Sequence, residues 1–197
     1  MSNPMRWLTL ACLAAILWLG ASQSTRAQSP APENPVPEGF VLSPMARATV
    51  FIRDQQESLK LYRDILGLRV RFDQEFSDER FNQVLGTEGR TFRMTILQSG
   101  DTIYGNVGLL QFVDDEPALS QPLQTPAART GDVALVFMTS DIDTIAGKLR
   151  AAGYTIISPP MVLFPREDMA TDPREMLFRD RDGILVNLIQ PGIPKEQ

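Results

Sequence analysis

The feature that most constrains this 197-residue chain is a plan of elements written twice. In the first copy, Arg47-Ala48-Thr49-Val50-Phe51-Ile52-Arg53 is β-branched and aromatic and predicts a strand. Asp54 with Glu57 three positions on predicts a capped helix start. Leu61, Tyr62, Ile65 and Leu66 then recur at helical spacing until Gly67 supplies the stop. The second copy has a strand at 133–139, Asp141 as cap, Ile142, Ile145, Ala146 and Leu149 on one helical face, and Gly153 as stop. From cap to stop is 13 positions in the first copy and 12 in the second. Strand-like runs follow each helix, at 68–72, 91–98 and 107–113, then at 154–157, 176–178 and 184–189. Asp180-Arg181-Asp182-Gly183 reads as the last hairpin turn. The pattern predicts a duplicated β-α-β-β-β unit of the α+β class, with modules at about 45–113 and 131–191 and a polar connector at 114–130.

A four-stranded sheet with one helix can bury only the face that the helix covers. Period-two alternation puts Val50 and Ile52 under the first helix and leaves Arg47, Thr49 and Phe51 on the opposite face. On the last strand, Val186 and Leu188 take the helix side and Leu185, Asn187 and Ile189 the other. Both open faces mix polar with apolar groups, which suits a ligand-holding concavity between the modules better than a dry core.

Composition narrows the chemistry. Hydrophobic residues at 43% and charged residues at 22% are ordinary for a water-soluble globular protein. Nineteen Lys and Arg against 24 Asp and Glu, without a basic run, exclude nucleic acid as a partner. There is no histidine, which removes the commonest metal ligand and the usual near-neutral general base. No G-x-S-x-G elbow, P-loop or dinucleotide fingerprint occurs, so nucleophilic hydrolysis is unsupported.

Residues 1–27 read as a secretory signal peptide, with a basic start at Arg6, an apolar stretch at 7–19 and small residues flanking Arg26. Thirteen apolar residues make a helix of about 20 Å, too short for the roughly 30 Å hydrocarbon core, so no stable membrane anchor is expected after cleavage. Cleavage after Ala27 changes the net charge from -5 to -7 and removes Cys12, the only cysteine. The product is expected in the periplasm or outside the cell, without disulfide or thiol chemistry. A Pro-rich linker follows at 28–44, the folded domain at 45–191, and a tail at 192–197.

Thr49-Val50-Phe51-Ile52-Arg53-Asp54 with Ser58, Leu59, Tyr62-Arg63-Asp64 and Leu66-Gly67-Leu68 resembles the opening of vicinal oxygen chelate proteins, the glyoxalase/bleomycin-resistance/dioxygenase superfamily. Residues 131–143, Phe178-Arg179-Asp180-Arg181-Asp182-Gly183 and 186–190 resemble its second-module opening and closing hairpin. The resemblance implies two βαβββ modules forming an eight-stranded, partly open barrel around a cavity. Metal-dependent members carry four ligands there, and by spacing those positions hold Arg47, Gln111, Ala134 and Asn187. An arginine has no lone pair to give, an alanine no donor, and two carboxamides hold a transition ion poorly. No metal and no cofactor are therefore expected.

The candidate ligand-binding residues are Arg47, Thr49, Phe51, Gln111, Ala134, Val136 and Asn187, with Leu109, Met138 and Ile189 as further apolar walls. They suit a small organic molecule, anionic or polar, with a hydrophobic body, bound or sequestered rather than transformed. The competing reading of Arg47 is a plain ion pair across the barrel. The competing function is a lyase, isomerase or dioxygenase with a non-standard metal site. Homodimerisation agrees with the resemblance and is not decided by the residues. The charged stretch 166–175, bracketed by Pro159, Pro160 and Pro165, is expected as a loop or lid, and 77–86 as a short amphipathic helix. Glu75, Tyr104 and Glu175 receive no role.

Overall fold

A computed structural model of the chain describes residues 38–39, 41–114 and 127–195. The expected signal peptide with Cys12, most of the linker and most of the connector lie outside the described residues.

The first module runs β1 (Arg47–Ile52), α1 (Gln55–Leu59) continuing as a π-helical segment (Lys60–Ile65), β2 (Arg69–Phe76), α2 (Glu79–Leu85), β3 (Phe92–Gln98) and β4 (Asn106–Phe112). The second runs β5 (Ala134–Met138), α3 (Ile142–Ala151), β6 (Thr155–Val162), β7 (Met169–Thr171), β8 (Arg174–Arg179), β9 (Leu185–Gln190) and β10 (Ile193–Pro194). Each module closes one four-stranded sheet, in the orders β1-β4-β3-β2 and β5-β9-β8-β6. Within these sheets β1 pairs parallel with β4 and β5 with β9, and the other pairings are antiparallel. The fold is thus α+β with duplicated βαβββ units, its two sheets open and partly curled and neither closed into a barrel.

The helices start and stop where the side chains dictate. Asp54 accepts from the Glu57 amide at 3.1 Å, and Asp141 from the Thr144 amide at 3.0 Å, each satisfying an amide that has no partner within its helix. Gly67 and Gly153, at φ 77° and 73°, take the left-handed conformation that ends each helical segment. Between β2 and β3, α2 is capped by Asp78 and lays Phe81 against Phe76 and Phe92.

Two expectations about the second module are corrected. Pro159 and Pro160 lie inside β6 and do not begin a loop. An edge strand bonded only to β8 tolerates them because the register slips between Ser158 and Met161. The charged stretch beyond is pinned in part, since β7 within it pairs with β10, in the expected tail.

One core joins the modules. Val50, Ile52, Leu61 and Tyr62 of the first pack in the same buried cluster as Leu135, Ile142, Leu149 and Phe178 of the second. Polar contacts reinforce the junction: Arg53 donates its amide and Nε to Asp182 at 3.0 and 2.9 Å, and the Tyr62 hydroxyl donates to Asp180 Oδ2 at 2.8 Å. The hairpin turn of the second module is therefore also the seat of the first module's helical segment. Asp180 is held by the amides of Asp182 and Ile184 as well. Burial pushes its carboxyl above the usual range, and burial with the adjoining carboxylate pushes the Tyr62 phenol well up.

Candidate functional site

The faces turned away from the helices are where the duplicated frame presents its variable side chains. On the first sheet, register pairs Arg47 with Asn106, Thr49 with Gly108 and Phe51 with Leu110, and these six lie on the open face. On the second, Ala134 pairs with Leu185, Val136 with Asn187 and Met138 with Ile189, again facing away from the helix. Six of the seven expected ligand residues are thus on the open faces: Arg47, Thr49 and Phe51 on one, Ala134, Val136 and Asn187 on the other.

Gln111 is not among them. It lies on the helix side of β4, where its Oε1 accepts from the Gln55 amide at 2.9 Å. Gln190 does the same for Ile142 at 2.9 Å. Both glutamines supply partners for the first amides of their helices, which otherwise have none. The expected apolar wall Leu109 is likewise on the helix side, fully buried in the shared core.

The two glutamines also fix the correspondence of the copies. Gly108 and Asn187 each stand three residues before their glutamine, as Arg47 and Ala134 each stand seven before their capping aspartate. The counterpart of Asn187 is therefore Gly108. A Cβ at Gly108 would stand 2.8 Å from Arg47 Cδ and 2.9 Å from Thr49 Oγ1. The arginine stem thus occupies the space that any other residue would fill, and its Nε donates to Thr49 Oγ1 at 2.9 Å. No carboxylate among the described residues lies within ion-pairing distance of Arg47. Beside it, Asn106 donates Nδ2 to the carbonyls of Ile103 and Ala46, and its buried Oδ1 has no partner among the described residues.

The second sheet is built differently. Asn187 donates to Glu175 Oε2 at 3.3 Å and to the Met176 carbonyl at 3.2 Å, so its amide is engaged by its own sheet. Glu75 and Tyr104 are elsewhere: Glu75 stands opposite Arg93 on the helix side of β2, and Tyr104 precedes β4. A separate recess of about 500 Å³ opens at the end of β5 and β9, lined by Met138, Thr139, Ser140, Gln190 and Ile193 among others. Its Thr139 hydroxyl accepts from the Asp141 amide and its Gln190 caps α3, so it offers no charged group comparable to Arg47.

A metal fits this frame poorly. The positions presented to the open faces hold a guanidinium, a glycine, an alanine and a carboxamide already bonded to Glu175. Among the described residues, no three of His, Cys, Asp or Glu gather within metal-binding reach. Arginine and alanine cannot donate, and the carboxamide alone does not hold a transition ion against water. No helix among the described residues is long and apolar enough to cross a membrane.

Comparison with known proteins agrees with the architecture. No curated protein matches the chain. Among solved structures, a glyoxalase family protein from Bacillus cereus is 16% identical with a TM-score of 0.63, over 79% of this chain and 98% of that one. Glyoxalase I from Zea mays is also 16% identical, with a TM-score of 0.53 over 75% of this chain, which spans 47% of the maize enzyme. At this identity both likenesses concern the fold alone. A sequence model of the Glyoxalase/Bleomycin resistance protein/Dioxygenase superfamily matches residues 45–188, which takes in both modules, and the chain belongs to that superfamily.

Proposed function

We propose that the protein is exported and binds or sequesters a small organic anion on the open face of its first sheet, without a metal. Arg47 carries this reading. Its guanidinium is always charged and has five donors, of which the described residues engage one, through Thr49. No carboxylate of the chain neutralises it among the described residues, so the complementary charge is left for a ligand. Gly108 supports the same reading, because the space left by its missing side chain holds the arginine against the sheet. The residues around it, Thr49 and Gly108, provide no general base, which favours binding over catalysis. Pairing of two chains through the open face of the second sheet accompanies the reading, since Val136 and Met138 remain 57% and 77% exposed there.

The test is native mass spectrometry of the processed protein from its own compartment, followed by titration calorimetry with the co-purifying molecule. Arg47→Ala should abolish anion binding and leave the circular dichroism spectrum and melting temperature unchanged. Binding that survives the substitution refutes the assignment. Recovery of the chain with residues 1–27 intact in the cytoplasm refutes export.

A further inference from the structure

We infer that the anion is an aryl-substituted carboxylate with two or three carbons between charge and ring, an inference that rests on the reading of Arg47 as the anchor. Arg47 is exposed, so a ligand held there gains further affinity where its body covers the apolar surface beside it. The strand sets what that body meets. Arg47 bends toward Thr49, which brings its guanidinium to the level of Thr49 and Gly108. Two residues further along β1 stands Phe51, roughly 6 to 7 Å away at the rise of a strand.

Phe51 is 56% exposed and is the front of an aromatic platform. Its ring lies 6.2 Å from that of Phe112, nearly parallel at 26°. Phe112 in turn carries the Arg90 guanidinium 4.4 Å over its ring and meets Phe92 edge-on at 6.5 Å. Leu110, the cross-strand neighbour of Phe51, is buried beside it. A platform backed in this way is fixed in orientation, and a second ring gains from stacking on it where a saturated body of equal area gains only burial. The guanidinium sets the charged end of a ligand at Arg47, and the stacked rings set its aromatic end at Phe51. A two-carbon spacer puts a carboxylate carbon roughly 5 Å from the ring centre at ordinary bond lengths, and a third carbon extends that slightly. Both spans approach the two-residue rise along β1 from Thr49 to Phe51, whereas benzoate is too short to reach both ends.

Calorimetric titration of the processed protein with benzoate, phenylacetate, 3-phenylpropanoate, 4-phenylbutanoate, 6-phenylhexanoate and 3-cyclohexylpropanoate tests the inference. The expected maximum is at 3-phenylpropanoate or 4-phenylbutanoate, with 3-cyclohexylpropanoate weaker than its phenyl analogue by about fivefold. Phe51→Leu, at an exposed position that should fold normally, should erase that ring preference. Arg47→Gln should weaken all the carboxylates together by about tenfold or more. Equal affinity for phenyl and cyclohexyl, a ring preference that survives Phe51→Leu, or no binding at millimolar concentration overturns the inference. Binding that depends on Arg47 but is indifferent to ring and spacer overturns it while leaving the anion reading intact. Binding indifferent to Arg47 overturns both.

Discussion

Tyr62→Phe isolates the bond that fastens the first module's helical segment to the closing hairpin of the second. The substitution keeps the ring, which is fully buried in the common core, and removes only the hydroxyl that donates to Asp180 Oδ2 at 2.8 Å. Oδ1 of Asp180 retains its two turn amides, so the hairpin itself is not dismantled. A buried carboxylate oxygen is left without a donor, and hydrogen bonds to charged groups contribute about 1.5–3 kcal/mol, so a loss of about 2 kcal/mol is expected at pH 7. The pH dependence follows from the direction of the Asp180 shift. Burial raises its folded-state pKa above the unfolded value of 3.8, so its stabilising contribution is full below that value and is lost as pH rises through the folded pKa. The Tyr62 hydroxyl acts in the opposite direction, lowering the same pKa. Without it the folded carboxyl is raised further, and the deficit of the variant should be small near pH 4 and grow toward neutrality. Urea unfolding followed by far-ultraviolet circular dichroism at several pH values reads this directly. In an Asp180→Asn background, where no charge is stranded, Tyr62→Phe should cost below about 1 kcal/mol. A cost that is the same at pH 4 and pH 7, or undiminished in that background, refutes the reasoning.

Gly108→Ala should lower carboxylate affinity severalfold by displacing Arg47 from the sheet without altering any charge, as read by titration calorimetry. Its effect on stability should be small, because crowding against Arg47 and Thr49 opposes the roughly 0.4–1 kcal/mol that alanine gains by restricting the unfolded chain. Gln111→Leu and Gln190→Leu should each destabilise by about 1 kcal/mol in urea unfolding, since each strands the first amide of a helix. Neither should change anion affinity, which distinguishes the helix-side glutamines from Arg47.

The frame was readable because each of its parts is local. Asp54 and Asp141, Gly67 and Gly153, and the alternation of Val50 and Ile52 with Thr49 and Phe51 act within one helix turn or one strand, and the structure places them as the spacing implies. Gln111 was assigned to the open face because spacing within a single copy cannot say how far β4 is offset from β1. The signal existed in the second copy: Leu109-Leu110-Gln111 and Leu188-Ile189-Gln190 have the same form, and aligning them puts Gly108 opposite Asn187. The Phe112–Arg90 contact and the tie from Tyr62 to Asp180 were out of reach, since they join residues 22 and 118 positions apart through tertiary folding. Pro159 and Pro160 misled for a physical reason: prolines argue against a strand, and only an edge position with a slipped register accommodates them.

The duplication itself supplies the sharpest control on the Arg47 reading. The copies agree where the helix start is held, at Asp54 and Asp141 and at Gln111 and Gln190, and differ on the open face, where Arg47, Thr49 and Gly108 correspond to Ala134, Val136 and Asn187. One anion per chain is therefore expected. If those three residues are what make the site, Ala134→Arg with Val136→Thr and Asn187→Gly should confer a second. That triple change alone should nevertheless fail, because Glu175 lies beside Asn187 on the same face and would pair with the new guanidinium. Adding Glu175→Gln removes the competing carboxylate, and the calorimetric stoichiometry should then rise from one toward two, the new site lacking the aromatic platform and so binding more weakly. A second site appearing with Glu175 still in place would mean that freedom from an internal carboxylate is not what makes Arg47 available to a ligand.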